Sequence, residues 1–169
     1  MLNGLTLVIG GAASGKSAHA ERLVMEGPGR PVYIATAEAH DTEMSEKILR
    51  HRERRDQAWR EVETSAGLPA ELRSCAADEV VLVDCATMWL TARFLAEEDL
   101  AAATEALLDA LAACPAAVVI VTNEIGLSPV PDHPMARAFR EAQGALNQRL
   151  AAAADRVVAV WAGLPLVLK

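Results

Sequence analysis

Aromatic residues are scarce in this sequence: Phe, Trp and Tyr make up 4% of its 169 residues, whereas hydrophobic residues as a whole make up 52%. The hydrophobic content excludes a disordered chain, and the low aromatic content means that the core must consist mainly of Ala, Leu and Val. A chain of this length can bury most of one core, so we expect a single domain.

Positive charge is also in short supply, since 16 Lys and Arg residues face 23 Asp and Glu residues, for a net charge of −7. This balance argues against a general nucleic-acid partner or binding to a membrane surface. No apolar run reaches transmembrane length, and the first run, Leu5 to Ile9, leads directly into a glycine-rich loop. It is therefore predicted to be a core strand and not a signal peptide, and we expect a cytoplasmic protein without membrane insertion.

Cysteine is limited to Cys75, Cys85 and Cys114. The odd count and the wide spacing exclude a disulfide framework and a cysteine metal site. We predict three buried thiols in a reducing compartment.

The sequence does contain one strong motif, G-x-x-x-x-G-K-S, at Gly10 to Ser17. An apolar run precedes it and a helix-like segment follows, which is the context of a phosphate-binding loop. Backbone N–H groups of such a loop face an anion. Lys16 is then expected at the terminal phosphates of a nucleotide, and Ser17 at Mg²⁺. A glycine-rich turn without a ligand is the alternative, which this context disfavours.

Apolar runs alternate with helical patterns along most of the chain, which predicts an α/β fold with a mostly parallel sheet flanked by helices. Two short strands separated by only two residues predict an antiparallel hairpin at the edge of the sheet. The predicted strands are Leu5–Ile9, Pro31–Ala37, Glu79–Val83, Ala117–Val121, Arg156–Trp161 and Leu164–Leu168. The predicted helices are Lys16–Met25, Thr42–Asp56, Thr87–Ala96, Leu100–Ala113 and Met135–Ala154, and Gly67–Cys75 is expected to be a short helix or a loop.

Ligands of such sheets bind beyond the carboxyl ends of the strands, so the residues that follow each strand are candidates. Asp84 ends an apolar strand, where a carboxylate can hold Mg²⁺, often through water; the alternative is an ordinary helix cap. Glu124 ends another strand, and it either orients a ligand or caps the following loop.

A basic segment, Glu46 to Arg60, carries six Lys and Arg residues against three acidic ones. On a helix, His51 and Arg55 continue a face that Met44 and Ile48 begin. A neutral imidazole among guanidinium groups can attack phosphorus, and the guanidinium groups can bind phosphate oxygens. On composition alone, a solvated and salt-bridged helix face is the more common structure.

Taken together, the motifs resemble those of one family, the bifunctional adenosylcobinamide kinase / adenosylcobinamide-phosphate guanylyltransferases of cobalamin biosynthesis. The resemblance spans nearly the whole chain. It is carried by GGAASGKS, YIATA, the block DTEMSEKILRHRERRDQAWREVE, VLVDCATMWL, TNEIG and ARAFREAQGALNQRLAAAAD.

This resemblance implies two reactions. A nucleoside triphosphate, ATP or GTP, phosphorylates adenosylcobinamide, and GTP then guanylylates His51, which passes GMP to adenosylcobinamide phosphate. It implies catalytic roles for His51 and Lys16 and a Mg²⁺ site at Ser17 and Asp84. The implied nucleotide-binding residues are Gly10, Gly11, Ala12, Ala13, Ser14, Gly15, Lys16, Ser17, Ala35, Thr36, Ala37, Arg52, Glu53, Arg54, Arg55, Glu63 and Asp84.

The resemblance also implies a RecA-like phosphate-loop fold and a homo-oligomer, namely a trimer. Two alternatives stay open. One is a different phosphate-loop kinase of a small molecule in which His51 is structural, and the other is a nucleotide-binding regulatory subunit without catalysis.

Overall fold

A seven-stranded sheet forms the centre of the structure, a computed structural model that describes residues 4–37 and 59–169. The strands are β1 (Leu5–Gly10), β2 (Arg30–Ala35), β3 (Arg60–Glu63), β4 (Glu79–Asp84), β5 (Ala117–Asn123), β6 (Arg156–Trp161) and β7 (Leu164–Val167). The helices are α1 (Lys16–Met25), α2 (Leu68–Ser74), α3 (Ala86–Leu95), α4 (Leu100–Ala113) and α5 (Pro134–Ala153).

The strands lie in the order β3-β2-β4-β5-β1-β6-β7. All neighbours are parallel except β6 and β7, which pair antiparallel. The predicted parallel sheet and the hairpin at its edge are therefore confirmed. The first six strands in this order, β3 through β6, are parallel, so their carboxyl ends meet at one edge of the sheet. We call this edge the carboxyl rim.

The two faces of the sheet are both covered, as the continuous apolar runs of β1, β4 and β5 require. On one face, Val8, Leu82 and Val121 pack against Ala20 and Val24 of α1. On the other face, a larger cluster includes residues of α2, α3, α4 and α5, among them Leu72, Trp89, Leu107 and Leu146. Alternation along each strand therefore decides whether a side chain faces α1 or the four-helix side.

Strand β3 was not predicted from the sequence. Its four residues, Arg60 to Glu63, are mostly charged and mostly exposed, so they lack the apolar run that indicates a strand. They pair with β2 because the edge of the sheet leaves backbone groups to be satisfied. Arg60 also forms ion pairs with Glu71 and Glu79, which hold β3 to α2 and β4.

Other boundaries differ by one or two residues. The second strand ends at Ala35 and not at Ala37, while the segment around Pro69 forms the short helix α2. The predicted helix Thr42–Asp56 lies outside the described residues.

The thiols of Cys75 and Cys85 are buried, as predicted, but Cys114 is only half-buried. The prediction for Cys114 was wrong because this residue follows the last residue of α4 as its C-cap, with an extended backbone, just before Pro115. In the described part of the chain, no helix combines the length and the apolar character needed to cross a membrane.

Candidate active site

The phosphate-binding loop runs from the end of β1 into the first turn of α1. Gly15 precedes the helix with a φ of 90°, a left-handed conformation that glycine adopts without a steric penalty. Ala13 also has a positive φ, 55°, and the N–H of Ser14 donates to the carbonyl of Gly11 at 3.3 Å. The first turn of α1 therefore opens directly from this loop, at the carboxyl rim, with its N–H groups available to an anion.

Lys16 lies folded against its own loop. Its Nζ donates to the carbonyl oxygen of Gly11 at 3.0 Å, and only 9% of the residue is exposed. Burial lowers the pKa of Lys16, and the nearby Cys85 and Asp84 partly oppose that shift. The ammonium group is thus already held beside the loop.

Asp84 ends β4 at the carboxyl rim, as the sequence predicted. The hydroxyl of Tyr33 on β2 donates to Oδ2 of Asp84 at 2.9 Å and so orients the carboxylate. Leu82, two residues earlier, packs on the α1 face, so Asp84 lies on the same face as the phosphate-binding loop. The sequence placed Tyr33 on a strand but gave no indication that its hydroxyl contacts Asp84.

The end of β2 is tied to the end of β4 through Thr36. Its buried hydroxyl donates to the carbonyl of Cys85 at 2.6 Å and accepts from the N–H of Cys85 at 2.8 Å. Ala35 and Ala37, on either side, are half-buried. The Thr36 side chain therefore holds two strand ends together, next to Asp84.

Glu63 also reaches the carboxyl rim, because β3 ends there. It is in register with Ala35, which is in register with Asp84 on the next strand. The N–H of Thr64 donates to the carbonyl of Ala35 at 2.9 Å and fixes the end of β3. The structure thus brings Glu63 to the same edge as Asp84, two strands away.

The exit of β5 adjoins the phosphate-binding loop. Asn123 is in register with Gly10, and the N–H of Glu124 donates to the carbonyl of Gly10 at 3.0 Å. The carboxylate of Glu124 accepts a hydrogen bond from the N–H of Gly126. Of the two roles considered for Glu124, the structure shows the contact with the following loop.

A group of buried polar residues lies beneath this exit, on the four-helix side. Gln143 Nε2 donates to Thr122 Oγ1 at 3.0 Å, and the Thr122 hydroxyl donates to Asn147 Oδ1 at 2.7 Å. Asn147 Nδ2 donates to the carbonyl of Asn123 at 3.0 Å, and the N–H of Asn123 donates to Thr87 Oγ1 at 2.9 Å. We call Thr87, Thr122, Gln143 and Asn147 the β5 polar network.

Sequence reasoning missed this network. Its only signal was a threonine at the end of an apolar strand, together with Gln143 and Asn147 four residues apart on α5, hence on one helix face.

The β6–β7 hairpin braces the phosphate-binding loop from the other side. The N–H of Gly163 in its turn donates to the carbonyl of Ser14 at 2.8 Å. A Cβ on Gly15 would approach the Cα of Gly163 to 3.2 Å, so the two backbones are in close contact. The hairpin at the edge of the sheet therefore supports the loop.

The two arginines at the start of α5 contact the loop that follows β5. Arg137 donates to the carbonyls of Pro131 and Asp132 at 3.0 and 2.7 Å, and Arg140 donates to the carbonyl of Gly126. Both guanidinium groups hold the loop that leads into α5.

The predicted residues of the basic segment, His51, Arg52, Glu53, Arg54 and Arg55, lie outside the described residues. Within residues 4–37 and 59–169, no three His, Cys, Asp or Glu side chains are grouped so that they could hold a metal ion.

Comparison with known proteins places this site in context. The profile of the family described as “Cobinamide kinase / cobinamide phosphate guanyltransferase” matches residues 6–168. The chain is 44% identical to the bifunctional adenosylcobalamin biosynthesis protein CobP of Pseudomonas aeruginosa, over 96% of either chain. It is 39% identical to the protein CobU of Salmonella typhimurium, covering 98% of this chain and 99% of the relative.

Two solved structures resemble the fold. The flagellar accessory protein FlaH from Methanocaldococcus jannaschii aligns with a TM-score of 0.53 at 12% identity, covering 98% of this chain and 78% of FlaH. The RadB recombinase aligns with a TM-score of 0.54 at 19% identity, covering 92% of this chain and 73% of RadB. At these identities the likeness is one of fold, namely the RecA-like phosphate-loop fold that the family resemblance implied.

Proposed function

Because this chain belongs to the cobinamide kinase / cobinamide phosphate guanyltransferase family, we propose that it catalyses both of the reactions for which that family is named. In the first, it phosphorylates adenosylcobinamide with a nucleoside triphosphate. In the second, it transfers GMP from GTP to adenosylcobinamide phosphate and forms adenosyl-GDP-cobinamide. The observation that carries the proposal is the phosphate-binding loop with Lys16 beside Asp84 at the carboxyl rim, in a chain matched by the family over residues 6–168.

In the kinase step, the aminopropanol hydroxyl of adenosylcobinamide attacks the γ-phosphorus of the triphosphate. A bond from that oxygen to phosphorus forms, the bond to the β–γ bridging oxygen breaks so that the nucleoside diphosphate leaves, and the hydroxyl proton passes to water. Lys16 neutralises charge on the phosphate oxygens, while the N–H groups of the loop and the first turn of α1 hold them in place.

Ser17 and Asp84 would hold Mg²⁺, directly or through water. Both offer oxygen ligands, which this ion prefers, and Asp84 lies close enough to Lys16 to act on its pKa. When bound, Mg²⁺ supplies further neutralisation of charge on the triphosphate.

In the guanylyltransferase step, an imidazole nitrogen of His51 attacks the α-phosphorus of GTP and pyrophosphate leaves. A phosphate oxygen of adenosylcobinamide phosphate then attacks the same phosphorus, and the bond to His51 breaks. Such a covalent intermediate divides one transfer into two displacements. The guanidinium groups of Arg52, Arg54 and Arg55 are proposed to bind the phosphate oxygens, with Glu53 and Glu63 completing the nucleotide site.

Incubation with α-labelled GTP and Mg²⁺ tests the intermediate. We expect an acid-labile label on the wild-type protein and none on the His51→Asn variant. His133→Asn is a matched control, because His133 is exposed and caps α5 by accepting from the N–H of Met135, a role that asparagine fills well. If the wild type takes no α-label while γ-labelled nucleotide still phosphorylates an acceptor, the chain is a kinase in which His51 is structural.

We also propose that the protein acts in the cytoplasm as a homotrimer, by resemblance to the family. Light scattering coupled to gel filtration measures the oligomeric state directly. A monomer at micromolar concentration contradicts the trimer without affecting the two proposed reactions.

A further inference from the structure

Asn123 occupies the position between the phosphate-binding loop and Asp84. Strand β5 lies between β1 and β4, and Asn123 is in register with Gly10, the first residue of the loop. Val119 and Val121 pack on the α1 face, so alternation places the Asn123 side chain on that same face, where Lys16 and Asp84 lie. The residue is half-buried.

The backbone of Asn123 is fixed on both sides by buried groups. Its N–H donates to Thr87 at 2.9 Å, and its carbonyl accepts from Asn147 at 3.0 Å. Thr87 and Asn147 are 7% and 6% exposed, so the two side chains that hold this backbone are themselves buried. Within the described ranges, however, the side-chain amide of Asn123 makes no hydrogen bond of its own.

A fixed backbone with a polar side chain aimed at the carboxyl rim is the arrangement expected of a donor for a ligand. A buried network costs folding free energy unless all its groups are satisfied, so four polar residues beneath one strand end need a reason to be there. Rigid placement of a donor beside the phosphates is such a reason, because a preorganised donor stabilises charge that develops during phosphoryl transfer.

We propose that Asn123 is a substrate-contacting residue whose side-chain N–H donates to an oxygen of the transferred phosphoryl group, and that the β5 polar network positions it. This proposal rests on the kinase step proposed above. No bond to Asn123 forms or breaks; the amide adds a hydrogen bond that is stronger in the transition state than in the bound triphosphate.

Kinetics of the kinase step test the contact. For Asn123→Ala we expect kcat to fall about 100-fold, with the KM for the triphosphate and the urea midpoint close to those of the wild type. Asn123→Asp, which keeps the shape but replaces the donor with a charged acceptor, should be at least as impaired. A kcat of Asn123→Ala within threefold of the wild type overturns the proposal.

The positioning role is tested at Thr87. Thr87→Val removes the hydroxyl that accepts from the Asn123 N–H at nearly constant volume, and we expect kcat to fall about tenfold. Thr87→Ser restores the hydroxyl and should restore most of kcat. Thr104→Val is the matched control, since Thr104 is a buried helical threonine of α4 whose hydroxyl donates to the Leu100 carbonyl, away from Asn123 in the sequence and outside the β5 polar network. Equal loss in the Ser and Val variants overturns the positioning role.

A binding measurement tests the role of Asn123 without any phosphoryl acceptor. GDP with aluminium fluoride imitates the transferred phosphoryl group, and its affinity relative to GDP alone can be measured by calorimetry. In the wild type, fluoroaluminate should raise the affinity for GDP. We expect this increase in affinity to be about tenfold smaller in Asn123→Ala. If the wild type phosphorylates no cobinamide, the proposed function fails, but this measurement still decides the role of Asn123; an unchanged gain overturns it.

Discussion

The phosphate-binding loop and the β5 polar network support the same edge of the sheet in opposite ways. The loop is one contiguous segment, Gly10 to Ser17, in which the side chain of Lys16 donates to the backbone of Gly11. The network draws its four residues from β5, α3 and α5, and no two of them are adjacent in sequence. The loop supplies chemical groups directly, whereas the network fixes the backbone of a neighbouring strand end. The comparison predicts that damage to the loop appears in activity, whereas damage to the network appears in stability as well as in kcat.

The largest effect is expected from Lys16→Met. Because Lys16 is proposed to neutralise charge on the phosphate oxygens, we expect kcat for phosphoryl transfer to fall about 1,000-fold. Steady-state kinetics with adenosylcobinamide measures the change.

Lys169→Met provides the control for that lysine. Lys169 donates to the carbonyls of Ala151, Ala152 and Ala154 at the end of α5. We expect this variant to keep its activity and to lose about 1 kcal/mol of unfolding free energy. Equal kinetic losses in both lysine variants would contradict the direct role of Lys16.

Asn147→Ala is expected to have the next largest effect, on stability. It removes the acceptor of the Thr122 hydroxyl, in a buried hydrogen bond, and the donor to the Asn123 carbonyl, in a partly buried one. We expect a loss of about 2–3 kcal/mol in the free energy of unfolding, measured by urea titration. Gln148→Ala, at an exposed neighbouring position, should change it by less than about 0.5 kcal/mol. If Asn147→Ala unfolds at the wild-type midpoint, the network does not stabilise this strand end.

A smaller pair of effects is expected at the turn that braces the loop. Gly163 has a φ of 80° and no atom near the position of a Cβ, so Gly163→Ala should cost about 1 kcal/mol through backbone strain alone. Ala162 has a φ of 50°, and Ala162→Gly should relieve a similar strain and have the opposite sign.

Both turn variants are best measured twice, by urea unfolding and by the affinity for a fluorescent GTP analogue. If Gly163→Ala weakens nucleotide binding while Ala162→Gly does not, the hairpin acts on the loop through the Gly163 contact with Ser14. Changes of the same sign in both variants would rule out the strain explanation.

The smallest effect concerns pH. Burial, with Arg22 and Arg156, lowers the pKa of His19 on α1. The unfolded chain then binds the proton more readily, so the free energy of unfolding falls as the pH drops below about 6.5, the ordinary pKa of histidine. His19→Gln should flatten this decline, whereas His133→Gln, at an exposed position, should leave it unchanged. If the free energy of unfolding declines equally in His19→Gln and the wild type, the decline comes from other titratable groups.

Most of the fold could be predicted because the central strands are buried on both faces and therefore apolar throughout. The loop and Asp84 were predictable for a related reason, since each follows such a strand directly. Strand β3 was not, because an edge strand of mostly charged residues has no hydrophobic pattern, and its pairing with β2 depends on contacts distant in sequence.

The sequence by itself determined the phosphate-binding loop, because the left-handed glycine, the lysine and the first turn of α1 depend on eight consecutive residues. Only the tertiary structure decided what surrounds that loop. Strand order brings Asn123 beside Gly10, and the hairpin turn brings Gly163 onto Ser14. These contacts join residues more than 100 positions apart, and such proximity follows from how the strands pack and not from any local pattern.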